Sequence, residues 1–245
     1  MIVLLGIDDT DNATSRGTGY HARRLGKALS DEGFADIQAV TRHQLLVDSR
    51  IDYTSRNSSV CLVLEASEHD ITRLIDFARS ELRSHCAPDS NGGISIAEPS
   101  AVDGAIQDFG RAAKHRVLSA ETARALAQQK DVFLEGTNGS GAGVIGALAA
   151  AGLHRSGNDG RFIWLQKLRE LDGTYTVGEL TRLLGVEVTT ISGEALPPAA
   201  EIKALEWMRP VLREGRAILL AERETQDGEI GWRLLDKSTV KALSD

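Results

Sequence analysis

The chain has 245 residues, with 28 Lys and Arg against 35 Asp and Glu, a net charge of -7 at pH 7. Apolar residues make up 42% and charged residues 26%, which excludes wholesale disorder, and the acidic balance argues against broad binding of phosphate backbones. Two cysteines, Cys61 and Cys86, are too few for a zinc ribbon or a disulfide framework.

Ile2 to Ile7 is a short run of β-branched residues and leucine with no helical period, so it reads as a buried strand ending in Asp8, Asp9 and Asp11. Tyr20, Leu25, Ala28 and Leu29 then form one apolar stripe, predicting an amphipathic helix over residues 19–32. Strands are expected at Ile37–Val47 and Val60–Glu65, and a helix capped by Ser67 at residues 67–86. After the turn at Pro88–Gly93, a strand is expected at Ile94–Ala97, then two helical pieces within 101–129, with Ser119 and Thr122 as cap candidates. Val132–Glu135 reads as a strand, followed by a glycine-dense loop and a small-residue helix over Val144–Leu153.

The polar stretch Arg155–Arg161 marks a division into parts 1–160 and 161–245. In the second part, strands are expected at Phe162–Leu168, Tyr175–Val177, Val186–Ile191, Ala217–Glu222 and Glu229–Leu235, with a short helix at Val177–Leu184 and a hairpin signal at Gln226-Asp227-Gly228. Trp207-Met208-Arg209-Pro210 reads foremost as a core aromatic with a helix stop, the alternative being a domain interface or acceptor pocket. The pattern as a whole is α+β or α/β. The apolar start is too short for a signal peptide and no stretch reaches the length of a membrane span, so the expected location is the cytoplasm, away from membranes.

Two constellations carry chemistry. Three carboxylates within four residues at a strand end repel one another, and a hard cation is the economical compensation; Mg²⁺ takes a couple of carboxylates and keeps phosphate or water oxygens. The bland alternative is an acidic turn in which Asp11 and Asn12 cap the next helix. The second is Glu135-Gly136-Thr137-Asn138-Gly139-Ser140-Gly141-Ala142-Gly143-Val144-Ile145-Gly146, where glycines would let backbone amides approach a phosphate at a helix start. Its alternative is a tight turn with close helix packing. Gly141, Gly143 and Gly146 also satisfy G-x-G-x-x-G, with Asp159 downstream, but the loop follows a late strand and no second parallel strand ends at Asp159, which disfavours an NAD-dependent oxidoreductase. Weaker signals are the polar groups Tyr53–Asn57, Asn91–Gly93 and Arg111–Arg116, in which Arg56 or Lys114 could neutralise a transferring phosphoryl group, and the histidines His21, His43 and His115.

The string GIDDTD followed about 130 residues later by GxGxxGALAAxG resembles the archaeal isoleucine-tRNA agmatinylcytidine synthetase family (TiaS). Tyr53 with Arg56, Asn91 with Gly93, and Lys114 before Val117-Leu118 lie in the same order as family motifs, so the resemblance spans residues 1–160, the kinase domain of that family. It implies a mixed-sheet kinase-like domain followed by a small ferredoxin-like domain at 161–245. It also implies an ATP- and Mg²⁺-dependent kinase or ligase that phosphorylates a carbonyl oxygen of a cytidine and then lets an amine such as agmatine displace the phosphate.

Carried over by motif, Asp8, Asp9 and Asp11 would hold the metal, Asp8, Asp9, Arg56 and Lys114 would be catalytic, and Thr10, Gly139, Ser140, Gly141, Gly143 and Gly146 would hold ATP. Nothing here resembles the family's tRNA-gripping OB-fold and zinc ribbon, so a small-molecule or nucleobase acceptor stands beside tRNA, and a homodimer is among the allowed assemblies. Thr18-Gly19-Tyr20 replaces the family's threonine segment, and Ala142 stands where its loop carries arginine, so autophosphorylation is not implied. The rival function is a nucleotide-binding regulatory or partner subunit without catalysis.

Overall fold

The computed structural model describes residues 1–54, 56–226 and 229–245. In chain order the elements are β1 (Ile2–Asp8), α1 (Thr18–Asp31), β2 (Ala35–Gln44), β3 (Ser58–Ala66), α2 (Ile71–His85), β4 (Gly93–Ala97), α3 (Gly104–Ala113), α4 (Ala120–Gln129), β5 (Phe133–Gly136) and α5 (Val144–Ser156). There follow β6 (Arg161–Leu165), β7 (Thr174–Thr176), α6 (Val177–Leu184), β8 (Glu187–Thr189), β9 (Glu201–Lys203), β10 (Val211–Arg213), β11 (Arg216–Gln226), β12 (Glu229–Leu234) and α7 (Lys237–Ser244). The fold is mixed α/β, built on a sheet in the order β12-β11-β10-β6-β2-β3-β1-β4-β5. Neighbours along that path are antiparallel; the parallel pairing is β8 with β11.

β1 sits deep in this sheet between β3 and β4, which explains its unbroken apolar run. Val3, Leu5 and Ile7 join one core with Leu25 and Leu29 of α1 and Leu74, Ala78 and Leu82 of α2. Leu4 joins the opposite core, with Ile106 and Phe109 of α3 and Leu148 to Ala151 of α5. A side chain at Gly6 would collide with the Ala147 carbonyl, so this glycine lets α5 lie directly on β1. The alanine-rich α5 is likewise pressed against α3, where a side chain at Gly110 would come 2.9 Å from the Ala149 carbonyl.

Several element boundaries differ from the expectation. Ser67 caps a single 3₁₀ turn at Glu68–Asp70, and α2 starts only at Ile71. The strand expected to reach Leu168 ends at Leu165, and Thr176, the last residue of β7, closes a capping box with Glu179 at the start of α6. Ser119 caps α4 as anticipated, accepting from the Thr122 amide. Asp227 and Gly228 of the expected hairpin lie outside the described residues; the flanking β11 and β12 pair antiparallel. Leu168, Leu180, Val188, Leu196 and Leu219 build a separate core under α6, while β6 and β10 continue the main sheet. Among the described residues, no helix is long and apolar enough to cross a membrane.

Candidate active site

β1 delivers Asp8 to the end of the central strand, and the chain turns at once through Asp9, whose φ of 51° places a non-glycine residue in the left-handed region. Asp8 is buried, 9% exposed, over the first turn of α5; a side chain at Gly146 would collide with its carboxylate. Burial, then the neighbouring Asp9 charge, push the Asp8 carboxyl up to about 8. Burial and the Asp11 charge push Asp9 up to about 6, opposed by hydrogen bonding to Asn91.

Asn91, in the loop before β4, ties the two sequence motifs together. Its side-chain oxygen accepts from the Ser140 amide and hydroxyl, both at 2.8 Å, and its backbone oxygen accepts from the Gly143 amide at 2.8 Å. As a result the acidic loop and the glycine loop share one hollow of about 250 Å³. Asp8, Asp9, Asp11, Arg56, Ser140, Gly143 and Gly146 line it, together with Thr18, Arg50, Asp52, Tyr53, Asn91 and Arg116.

Three expected site features take a different form. Asp11 accepts from the Thr18 amide at 3.2 Å and from the Thr18 hydroxyl at 2.7 Å, so it braces the start of α1, close to the bland alternative. Thr10 is fully buried and donates to Thr18, a supporting position. Among the described residues no group of three or more His, Cys, Asp and Glu side chains is arranged to hold a metal ion, and Asp11 is engaged by Thr18. What remains suits Mg²⁺ all the same: two adjacent carboxylates driven toward their neutral forms by burial and mutual repulsion, at a wall that leaves further positions to phosphate or water oxygens.

The glycine loop differs most from a phosphate cradle. The amides of Ser140, Gly141, Ala142, Gly143, Val144 and Ile145 all donate to protein acceptors, several of them at 3.1–3.3 Å. Gly139 and Gly141 adopt positive φ and lie off the hollow, beside Asn91 and Gly136. Gly143 is required because a side chain there would approach the Gly93 amide to 2.6 Å and the Asp8 carbonyl to 2.7 Å. The glycines thus act first in close packing, and the groups lining the hollow that suit an anion are Arg56, Arg116 and Arg50, the last also paired with Asp48.

Lys114 is elsewhere. It forms an ion pair with Asp159, which also accepts from buried His43 at 2.9 Å. The other His43 nitrogen meets the Thr41 hydroxyl at 2.9 Å, and burial pushes the His43 pKa down. This buried network keeps His43 from the hollow and engages Asp159, the residue that a dinucleotide reading would assign to a ribose. The antiparallel partners of β1 and β5 likewise depart from the parallel sheet such a reading needs. His21 is buried in α1, its Nε2 without a partner among the described residues, and His115 is exposed. Arg50 and Asp52 carry no motif in the sequence; the charged run DSRID before Tyr53 is the available signal.

No known family model matches the chain. In an alignment of 188 positions that covers 70% of this chain, it is 28% identical to the tRNA(Ile2) 2-agmatinylcytidine synthetase TiaS of Cenarchaeum symbiosum (strain A), of which the match covers 41%. Among solved structures it is similar to a TiaS–tRNA(Ile2)–ATP complex, with 24% identity and a TM-score of 0.55 over 62% of this chain and 36% of that one. It is also similar to a tRNA fluorescent labeling enzyme, with 25% identity and a TM-score of 0.54 over the same shares. The chain therefore shares the TiaS fold across about three fifths of its length and spans about two fifths of the curated relative.

Proposed function

We infer that this chain is an ATP- and Mg²⁺-dependent phosphotransferase or ligase acting on a carbonyl oxygen of a nucleobase or related amide, with the reaction centred on the hollow between the acidic loop and the glycine loop. The observation that carries the reading is the convergence of Asp8, Asp9, Arg56, Ser140 and Gly146 on that one hollow from segments up to 138 residues apart. Similarity to a curated TiaS, named for joining agmatine to a tRNA cytidine, and in fold to a TiaS solved with tRNA and ATP, supports the same class.

ATP supplies the phosphoryl group and Mg²⁺ screens its charge. Asp8 and Asp9 are the carboxylates suited to hold the metal, with Asp11 keeping the loop in place through Thr18. Arg56, Arg50 and Arg116 neutralise phosphate charge, while Ser140 ties the loop to Asn91 beside them. The acceptor carbonyl oxygen takes the γ-phosphoryl group as ADP leaves; an amine then forms a C–N bond at that carbon, losing a proton as inorganic phosphate departs. Lys114 serves the site indirectly, by holding Asp159 and the end of α3. The division near residue 160 into a kinase-like part and a smaller ferredoxin-like part belongs to the same reading.

The test is ADP release measured against a panel of cytidine-containing, amide and amine substrates, with Asp9→Asn beside the wild type. Turnover that requires an acceptor and is lost in Asp9→Asn supports the proposal. Full turnover in Asp9→Asn overturns it, and tight ATP binding without turnover on any acceptor would favour the non-catalytic partner.

A further inference from the structure

A second cleft, of about 520 Å³, opens beside the hollow and is joined to it through Asp11, Thr18, Arg56 and Ser58, which line both. It is lined by seven arginines and two lysines, with Asp11 the one carboxylate on its wall among the described residues. Asp245 adds one counter-ion behind it, shared between Arg42 and Arg161. Among these cations Arg23, Arg169 and Arg209 repel one another with no carboxylate offsetting them: burial and Arg169 hold the Arg23 guanidinium below its usual range, and burial with Arg169 and Arg23 does the same to Arg209. Grouping cations in this way, with Arg23 and Arg209 partly buried, costs stability unless an anion sits among them. The wall also carries aromatic faces. Trp207, which is half-buried and outside any helix rather than a core aromatic at a helix stop, lies under Arg209 at 5.3 Å and Lys237 at 5.9 Å.

The remaining surface narrows the class of anion. Taking the nine cations and two carboxylates of this cleft from totals of 28 and 35 leaves 19 basic against 33 acidic residues over the rest of the chain, a net charge that opposes a long polyanion more than a compact one. We propose that this cleft is the acceptor subsite and takes a compact phosphorylated molecule of nucleotide size, its phosphate among Arg23, Arg169 and Arg209 and its reacting end toward the shared wall at Asp11 and Arg56. The subsite assignment rests on the proposed phosphotransfer; the anion site itself does not.

Calorimetric titration of the whole chain at near-physiological salt tests this, using CMP, ribose 5-phosphate, cytidine and an oligocytidylate of about 20 nucleotides, with and without a non-hydrolysable ATP analogue and Mg²⁺. CMP and ribose 5-phosphate are expected to bind at least about tenfold more tightly than cytidine. Arg169→Ala and Arg209→Ala are each expected to weaken CMP about tenfold without changing binding of the ATP analogue in the neighbouring hollow. Arg23→Gln provides the same comparison should either variant lose its native circular dichroism. Equal affinity for CMP and cytidine, or no binding of either phosphorylated probe, overturns the proposal. Oligocytidylate binding about a hundredfold tighter than CMP, with a steep salt dependence, replaces the compact ligand by a polynucleotide. Phosphate-dependent binding in the cleft together with failure of the ATP analogue to bind would keep the anion site and remove the phosphotransfer reading.

Discussion

Replacing Asp8 by asparagine should stabilise the protein at neutral pH when no divalent ion is present. The folded chain holds the Asp8 proton up to about pH 8, against an ordinary value of 3.8. Folding therefore takes up a proton between these values. The stability linked to this group is fully present below pH 3.8, falls as pH rises and is lost by about pH 8. At about 1.4 kcal/mol per unit, the cost of the wild-type carboxylate is on the order of 4 kcal/mol at pH 7 and roughly 1–2 kcal/mol at pH 5. Asparagine keeps the shape and an acceptor oxygen while removing the charge that burial and Asp9 oppose. In EDTA, the Asn variant should melt roughly 8–16 °C above the wild type at pH 7, with the gap shrinking toward pH 5. Thermal unfolding followed by circular dichroism across this range is the assay. A variant less stable than the wild type at pH 7, or a gap independent of pH, would refute the view that burial and repulsion dominate at this carboxylate.

Gly146→Ala should cost about 1–3 kcal/mol in urea unfolding, because its methyl group meets the Asp8 carboxylate, and Asp8→Ala should recover much of that loss in a double-mutant cycle; strict additivity would contradict the contact. Asn91→Ala, which leaves the Gly143 amide bonded to the backbone but removes the acceptor for Ser140, should cost about 1–3 kcal/mol and weaken nucleotide binding; unchanged values for both would remove Asn91 as the link between the loops. Lys114→Met leaves Asp159 with His43 alone and should lose about 3–5 kcal/mol of stability while the Kd for an ATP analogue stays within about twofold, whereas a large selective loss of binding would return Lys114 to the reaction centre.

The parts legible in the sequence are those whose cause is local. The apolar run Ile2–Ile7 announces a strand buried on both faces, and the carboxylates that follow mark its end as chemically costly. The small-residue pattern after Gly143 announces a helix in close contact, as α5 on β1 and α3 bears out. Pairing was out of reach: nothing in Ile37–Val47 says that β2 takes β6 on its far side, so the second part extends the sheet of the first. Asn91 gave only a turn signal, because its role depends on Ser140 and Gly143 arriving from about 50 residues away. The basic cleft was hidden for the same reason, its cations being spread singly from Arg16 to Lys241 in a chain of net negative charge. Lys114 and Asp159 each read plausibly as a functional residue until their pairing with each other is seen.

The central claim is that the carboxylates after β1 and the loop before α5 form a single Mg²⁺–nucleotide site. Calorimetric titration of a non-hydrolysable ATP analogue into the wild type, with Mg²⁺ and then with EDTA, and into Asp9→Asn with Mg²⁺, tests it most directly. The account predicts binding that weakens at least about tenfold on chelation and to a similar degree in the variant. Equal affinity in all three titrations, or no binding by the wild type, would contradict it.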